Sequence, residues 1–224
     1  MTVTYHRDFD QGSGDWFRAR CGMLTSSDID KILTPTLKAS SSEKERQHLY
    51  ELLAQRATGH VEPSYISNDM LRGETEEIIA RDLYSAKIAP VEQVALITND
   101  RLGFPIGYSP DGMVGEDGQI EVKSRRQKYQ AQTIVEREVP TDFILQMQFG
   151  LFVSERKWCD FLSYSNGMPM FRGRVYPDRK IADAIAATVI AFERRLNEKL
   201  GIYFAETKKF IATERREYSE EITV

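Results

Sequence analysis

The 224-residue chain has only two cysteines, Cys21 and Cys159, far apart in sequence. That argues against a disulfide scaffold, and two thiols alone cannot build a Cys-rich zinc or iron–sulfur site. Long apolar runs are missing as well. The longest mostly apolar stretch, 184–192, is too short to span a bilayer. The opening Met1-Thr2-Val3-Thr4-Tyr5-His6-Arg7 has no signal-peptide apolar core. Positive charge is not in excess: the formal net charge is −4, which argues against a broadly basic, DNA-coating protein. It does not exclude a nuclease, whose metal-binding acids lower the total while basic residues gather locally. No internal repeat of solenoid length is present. What is there is an ordinary globular composition, 41% hydrophobic and 29% charged. The length suits one sizeable domain over residues 1–224. The expectation is a soluble, cytoplasmic protein.

The most informative stretch is Ser109-Pro110-Asp111-Gly112, followed by Gln119-Ile120-Glu121-Val122-Lys123. Residues 115–118 between them read as a hairpin turn, because Asp-Gly tolerates positive φ. Asp111 then ends or starts one strand, and Glu121 lies on the next. Residues two apart in a strand share a face, so Glu121 and Lys123 point one way while Ile120 and Val122 fill the other. Two acids and a lysine converge on one sheet edge. That grouping suits phosphodiester hydrolysis. Mg²⁺ is held by one or two carboxylates plus water and phosphate. A lysine beside it can orient the water or offset transition-state charge. A surface hairpin with ordinary charges is the alternative, since acidic and basic residues commonly share an exposed strand face.

Residues 15–20 pattern as a short amphipathic helix ended by Cys21-Gly22. Thr25-Ser26-Ser27-Asp28 opens a second helix through Leu33, which Pro35 stops. A helix N-terminus is a seat for phosphate, to which Arg20 and Ser27 would add a guanidinium and a hydroxyl. A plain capped helix with surface arginines explains the same residues. Residues 38–44 read as a polar loop. Residues 45–58 read as a helix with Leu49, Leu52, Leu53 and Ala57 on one side, closed by Gly59. The next helix starts at Asn68 or Asp69 and runs to about Lys87. Its period turns Ile78, Ile79, Leu83 and Ala86 inward and leaves Glu74, Glu77 and Arg81 on a neighbouring strip. There Glu77–Arg81 is an i,i+4 ion pair worth ~0.3–0.5 kcal/mol.

Strands follow at 91–98, 102–108 and 120–124, an antiparallel meander with its acids together. The run Lys123-Ser124-Arg125-Arg126-Gln127-Lys128-Tyr129 reads either as a solvated loop or as a track for a phosphate backbone. A helix from Pro140-Thr141-Asp142 to about Val153, capped by Thr141 or Asp142, carries an apolar strip of Phe143, Met147, Gly150 and Leu151. A glutamine in it, such as Gln146, most often lies on the surface. Strands at 158–164 and 170–176 flank the turn Asn166-Gly167. A closing helix, 181–200, has Ile185, Val189, Phe192 and Leu196 on one face, its N-terminal part set toward the sheet. The tail from Glu214 is charged and frayed.

These residues carry a resemblance. Asp111 with Glu121-Val122-Lys123 resembles the D–(E/Q)xK motif of restriction-endonuclease-like nucleases. Ser-Pro-Asp-Gly ahead of it is similar to the lambda exonuclease and YqaJ-type viral recombinase branch. Trp16-x-x-x-Arg20-x-Gly22-x-x-Thr25-x-Ser27 looks like that family's N-terminal motif. Gly73-x-x-x-Glu77 looks like the segment whose glutamate reaches over the active site. Residues 142–148 look like the helix whose glutamine, here Gln146, lies beside it. The resemblance covers roughly residues 14–176. It departs at Arg125, where lambda exonuclease has a proline, and in the loop after the first motif.

The resemblance implies an α/β (α+β), restriction-endonuclease-like fold with a central mixed sheet flanked by helices. N-terminal helices at 14–60 would contribute to DNA-end binding, with a core at about 69–176 and a C-terminal helix at 181–200. It implies an exonuclease that degrades one strand of double-stranded DNA from a 5′ end in phage-type recombination, using Mg²⁺ or Mn²⁺. Asp111 and Glu121, with the carbonyl of Val122, would ligate metal. Lys123 would assist the attacking water, Glu77 and Gln146 would support the centre, and Arg20 and Ser27 would hold the 5′ phosphate. Met70 falls near the family's apolar wedge, or packs in a core. A homotrimeric ring and a single-strand-annealing partner are implied in the same way, with no membrane. The alternatives are an endonuclease on the same core, a non-catalytic DNA-end binder, and an α/β protein of unrelated function.

Overall fold

A computed structural model describes residues 2–63 and 67–216. Of the charged tail, residues 217–224 lie outside the described residues. β1 (Val3–His6), β2 (Leu24–Thr25), β3 (Leu96–Asn99) and β4 (Ile106–Tyr108) form a four-stranded sheet in the order β1-β3-β4-β2. β5 (Gly112–Val114), β6 (Gly118–Ser124), β7 (Trp158–Tyr164) and β8 (Phe171–Val175) form a second four-stranded sheet in chain order. Both are mixed, because β2–β4 and β6–β7 pair in parallel. The expected mixed α/β class holds, whereas the single meander does not. The chain leaves the first sheet after Tyr108 and enters the second at Gly112. Pro110, in the joint, has no N–H for either ladder. The carboxylate of Asp111 instead accepts the backbone N–H of Val122 at 2.6 Å. The expected strand at 91–98 is regular only from Leu96, with Glu92 making a lone bridge to Met113. In the β5–β6 hairpin the positive φ falls on Gly115, at 54°, ahead of the Asp-Gly pair.

α1 (Gly14–Arg20) starts where Ser13 Oγ accepts the Trp16 N–H. The helix expected from Thr25 begins later: a 3₁₀ turn over Ser26–Asp28 precedes the short α2 (Ile29–Ile32). Thr25 makes no capping bond there, because its hydroxyl is engaged with Asp28. α3 (Glu43–Thr58) is capped by Ser42 and stopped by Gly59 at φ 65°. It buries Leu49, Leu52 and Leu53 as expected, with Ala57 half-buried. α4 (Asn68–Lys87) is capped by Ser67.

The inward face of α4 is not the one its apolar period suggested. Glu76, Ala80 and Tyr84 are buried, and Ala80 and Tyr84 pack on Ile120, Val122 and Leu162. Ile78, Ile79 and Leu83 are 52%, 44% and 38% exposed, and Ala86 is exposed too. The small Ala80 lets the helix approach the sheet, and Tyr84 Oη donates to the buried Asp160 at 2.7 Å. That anchor, which lies 76 positions away in the chain, outweighs the local pattern.

α5 (Gln127–Glu136) replaces the expected loop: the charge run is the end of β6 followed by this helix. Buried Gln130 anchors it by donating to the carbonyls of Ser163 and Pro169. α6 (Ile144–Ser154) follows a 3₁₀ turn, and neither Thr141 nor Asp142 caps it by a side chain. It lies between the two sheets. Phe149 and Val153 join the core around Ile106 and Tyr108, while Met147 and Leu151 pack on Cys159 and Phe161. A helix covered on both sides is apolar nearly all round. Gly150 marks the crossing, because a Cβ there would meet Tyr108 Cε2 at 2.9 Å. α7 (Arg179–Thr207) is longer than the expected 181–200 and buries Ile185, Val189, Phe192 and Leu196 against α2, α3 and α6. Burying Phe149, Phe161 and Phe192 completely stabilises the fold by roughly 1.5–3 kcal/mol each. Both cysteines are free thiols. Among the described residues no helix is long and apolar enough to cross a membrane.

Candidate active site

β6 carries Glu121 and Lys123 on one face, and its parallel neighbour β7 fixes the strand in register. Lys123 Nζ lies 2.7 Å from Glu121 Oε1, and Gln146 Nε2, on α6, donates to the same oxygen at 2.6 Å. Gln146 thus turns toward the acid rather than to solvent. Asp111 stands at the joint between the sheets, one residue before β5, tied to Val122 by its Oδ2. Glu77 comes in from α4. Its ion pair with Arg81 is present at 2.8 Å, and the same Arg81 Nη1 donates to the Asp111 carbonyl at 3.1 Å. The salt bridge and the place beside the acids are therefore both real. From sequence, Arg81 is only the i,i+4 partner of Glu77. It is instead a cation of this cluster, and only the folded position of Asp111 reveals that.

Three carboxylates share the space of two cations. Burial, then the charges of Glu121 and Glu77, push the Asp111 carboxyl well above the usual carboxylate range. Burial raises Glu77 too, partly opposed by Arg81. For Lys123, burial works to lower the pKa, but Glu121, Asp111 and Glu77 outweigh it and the ammonium is held above its ordinary value.

Among the described residues, no three His, Cys, Asp or Glu side chains form a ready metal cage. The donors nevertheless fit a hard divalent cation. Glu121 is 1% exposed, and its Oε2 is buried with no hydrogen-bond partner among the described residues. A bare buried carboxylate oxygen is costly unless a cation or donor meets it. Asp111, Glu121 and the Val122 carbonyl supply only oxygen, the ligand type that suits such an ion.

The second cluster surrounds Arg20. Its guanidinium lies 4.1 Å over the Trp16 ring, and donates to Ser109 Oγ at 3.2 Å, Thr25 Oγ1 at 3.0 Å and Ser27 Oγ at 3.4 Å. Trp16 Nε1 also donates to Ser109. Arg20 forms no ion pair among the described residues. Burial lowers its pKa, partly opposed by Asp28. A half-buried guanidinium with neutral partners is a seat for an anion. The expected helix opens here as a 3₁₀ turn, with Ser27 in it, and the groups that meet Arg20 are side-chain hydroxyls. Ser109 and Thr25 were not assigned a role from sequence. Each stood inside a recognised motif, yet their meeting with Arg20 depends on β2 lying beside β4.

A groove of about 890 Å³ opens beside Asp111, Glu77 and Arg81 and runs past Trp16, Phe17 and Met70. Met70 is 47% exposed, which removes the core-packing alternative. In the basic run, Arg125 lies over the rings of Tyr129 and Phe143, and Arg126 pairs with Asp69 at 2.8 Å. Those two arginines are engaged within the protein.

The family model for the YqaJ-like viral recombinase domain matches residues 15–157. The chain is similar to an alkaline exonuclease, LHK-Exo, from Laribacter hongkongensis, with a TM-score of 0.78 and 29% identity over 88% of this chain and 99% of that one. The structure of LHK-Exo in complex with dAMP gives a TM-score of 0.79 and 30% identity over the same shares. A phage related exonuclease from Haemophilus somnus shares the fold at a TM-score of 0.52 and 12% identity, over 79% and 96% of the two chains. No curated protein sequence matches. The two residue clusters lie within or at the edge of the matched segment, and the chain belongs to the YqaJ-like viral recombinase family.

Proposed function

We propose that this chain is a divalent-metal-dependent exonuclease that removes nucleotides from the 5′ end of one strand of duplex DNA. Its family and its likeness to LHK-Exo support an exonuclease that acts on DNA. One observation carries the finer reading: Ser109-Pro110-Asp111 joins the arginine pocket to the carboxylate cluster. Two residues of chain span at most ~7 Å. That short link supports a register in which a terminal 5′ phosphate on Arg20 and Ser109 would leave the next phosphate of the strand within reach of Asp111 and Glu121.

Asp111, Glu121 and the Val122 carbonyl would hold Mg²⁺, or Mn²⁺ in its place. When bound, the ion supplies an acidified water and offsets charge at the phosphate. Lys123 holds the water and the developing charge. Gln146 fixes the orientation of Glu121, and Arg81 does the same for Glu77. Arg20, Ser27 and Ser109 bind the end. Cleavage of the P–O3′ bond releases a 5′ mononucleotide and leaves a fresh 5′ phosphate on the strand. That phosphate takes the place of the old one. Three copies in a ring around the duplex, as the family resemblance implies, would keep the strand in place. The apolar face of α4, with Ile78, Ile79 and Leu83 turned outward, supports such an assembly. A single-strand-annealing protein as partner, and the cytoplasm of a bacterial or phage-infected cell as location, complete the proposal.

End-labelled linear duplexes with Mg²⁺ test the polarity. The 5′ label is expected to appear first as mononucleotide, while the 3′ label stays in long fragments and a closed circle survives. A cut circle would favour an endonuclease, early release of the 3′ label would reverse the polarity, and binding without digestion would leave only an end binder.

The carboxylate cluster also predicts how stability depends on pH. Asp111 has a folded pKa above its unfolded value, so the metal-free fold binds the extra proton. Its stabilising contribution is full below about pH 4 and is lost as pH rises through the raised folded pKa. Mg²⁺ is expected to raise the melting temperature, and more at pH 8 than at pH 5. An equal rise at both pH values, or none, would count against a metal between these acids.

A further inference from the structure

We propose that Thr25 and Asp28 are positioning residues that aim Arg20 at the terminal phosphate. The proposal rests on the phosphate-pocket reading above. A threonine hydroxyl has one proton and two lone pairs. Thr25 Oγ1 lies 2.7 Å from Asp28 Oδ2, which as a carboxylate oxygen only accepts, so the proton points there. Arg20 Nη2, at 3.0 Å from the same Oγ1, only donates, so it meets a lone pair. Asp28 thereby decides which side of the hydroxyl faces the guanidinium.

The anchor behind Asp28 is firm. Lys31 Nζ donates to its Oδ1 at 2.9 Å, and His48 Nε2 stands 3.9 Å from its Oδ2. His48 is 3% exposed and stacked on Phe192 of α7, so the chain of contacts ends in the main core. Burial works to raise the Asp28 pKa, but His48, Lys31 and the bonds from Lys31 and Thr25 bring it below the ordinary carboxylate value, which keeps it an acceptor. Thr25 is itself fixed. It is 2% exposed, and its methyl sits over Gly107, where a Cβ would come within 3.3 Å of it. Ser27, by contrast, is exposed and lies 3.4 Å from Arg20. Ser109 engages Nη1 at 3.2 Å; of the two hydroxyls on Nη2, which lie 3.1 Å from each other, the buried Thr25 fixes that end of the guanidinium.

The test is the ratio of kcat/KM on 5′-phosphorylated to 5′-hydroxyl duplexes, with Mg²⁺. General damage to the fold lowers both rates and leaves the ratio alone. Thr25→Val removes the acceptor and is expected to lower the ratio about tenfold. Thr25→Ser keeps the hydroxyl and should hold it within a factor of about two. Asp28→Asn still presents an oxygen to Thr25 and should largely hold the ratio, whereas Asp28→Ala frees the hydroxyl and should lower it. A parent ratio near one would remove the phosphate-pocket reading itself. A high parent ratio left unchanged by Thr25→Val and Asp28→Ala would overturn this proposal alone.

Discussion

Lys123→Ala is expected to slow single-turnover cleavage of duplex DNA by about 10²–10³-fold, the usual loss when one preorganised charge donor is removed from a reacting centre. DNA binding is expected to stay near the parent level. The ammonium lies 2.7 Å from Glu121 Oε1, and Glu121, Asp111 and Glu77 together hold its pKa above the ordinary lysine value. In the proposed centre it acts as a positive charge and a hydrogen-bond donor toward the attacking water and the phosphate. In the proposed reading the end-binding contacts come from Arg20 and its hydroxyl neighbours, on other elements, so affinity for the duplex is expected not to depend on Lys123. Rapid-quench cleavage with Mg²⁺ and binding with Ca²⁺ measure the two quantities separately. An unchanged cleavage rate would end the assignment. Removing Lys123 also leaves a buried carboxylate with Gln146 alone, so the metal-free variant should melt earlier than the parent.

Arg20→Ala is expected to abolish the preference for 5′-phosphorylated over 5′-hydroxyl ends. Losing the charged partner of a phosphate in a desolvated pocket costs about 2 kcal/mol or more, roughly a 30-fold loss on phosphorylated ends. On hydroxyl ends the guanidinium has no anion to meet, and the variant should lose much less. Arg20 stacks on Trp16 and contacts three hydroxyls, so its removal also takes away packing; the comparison of two substrates on one variant cancels that effect. Equal preference in variant and parent would show that the end is held elsewhere.

Much of the second sheet and its acids was legible in the residues. Glu121 and Lys123 share a face because alternate strand residues must, and Ile120 and Val122 fill the core opposite. Gly59 and Gly167 stop or turn the chain where expected, each at positive φ. Three of the local readings that failed show three different reasons. The charge run hid α5, because that helix has no side-chain cap and is anchored by Gln130 to distant carbonyls. In α4 two strips competed, and the one with fewer large apolar residues was buried because Ala80 and Tyr84 fit the sheet. The helix expected from Thr25 starts later because that hydroxyl serves Asp28 and Arg20 instead.

What the residues determine alone is what the backbone period and the side chain's own chemistry decide: which residues share a strand face, where a turn is allowed, which groups can hold an ion or a phosphate. Tertiary packing decides what local geometry cannot reach. Arg20 meets Ser109 across 89 positions because β2 lies beside β4, and Gln146 reaches Glu121 because α6 is held between two sheets. Arg81 faces Asp111 only because α4 buries Ala80 and Tyr84. Long-range meetings of this kind depend on which apolar surfaces exclude water together, and that is a property of the whole core.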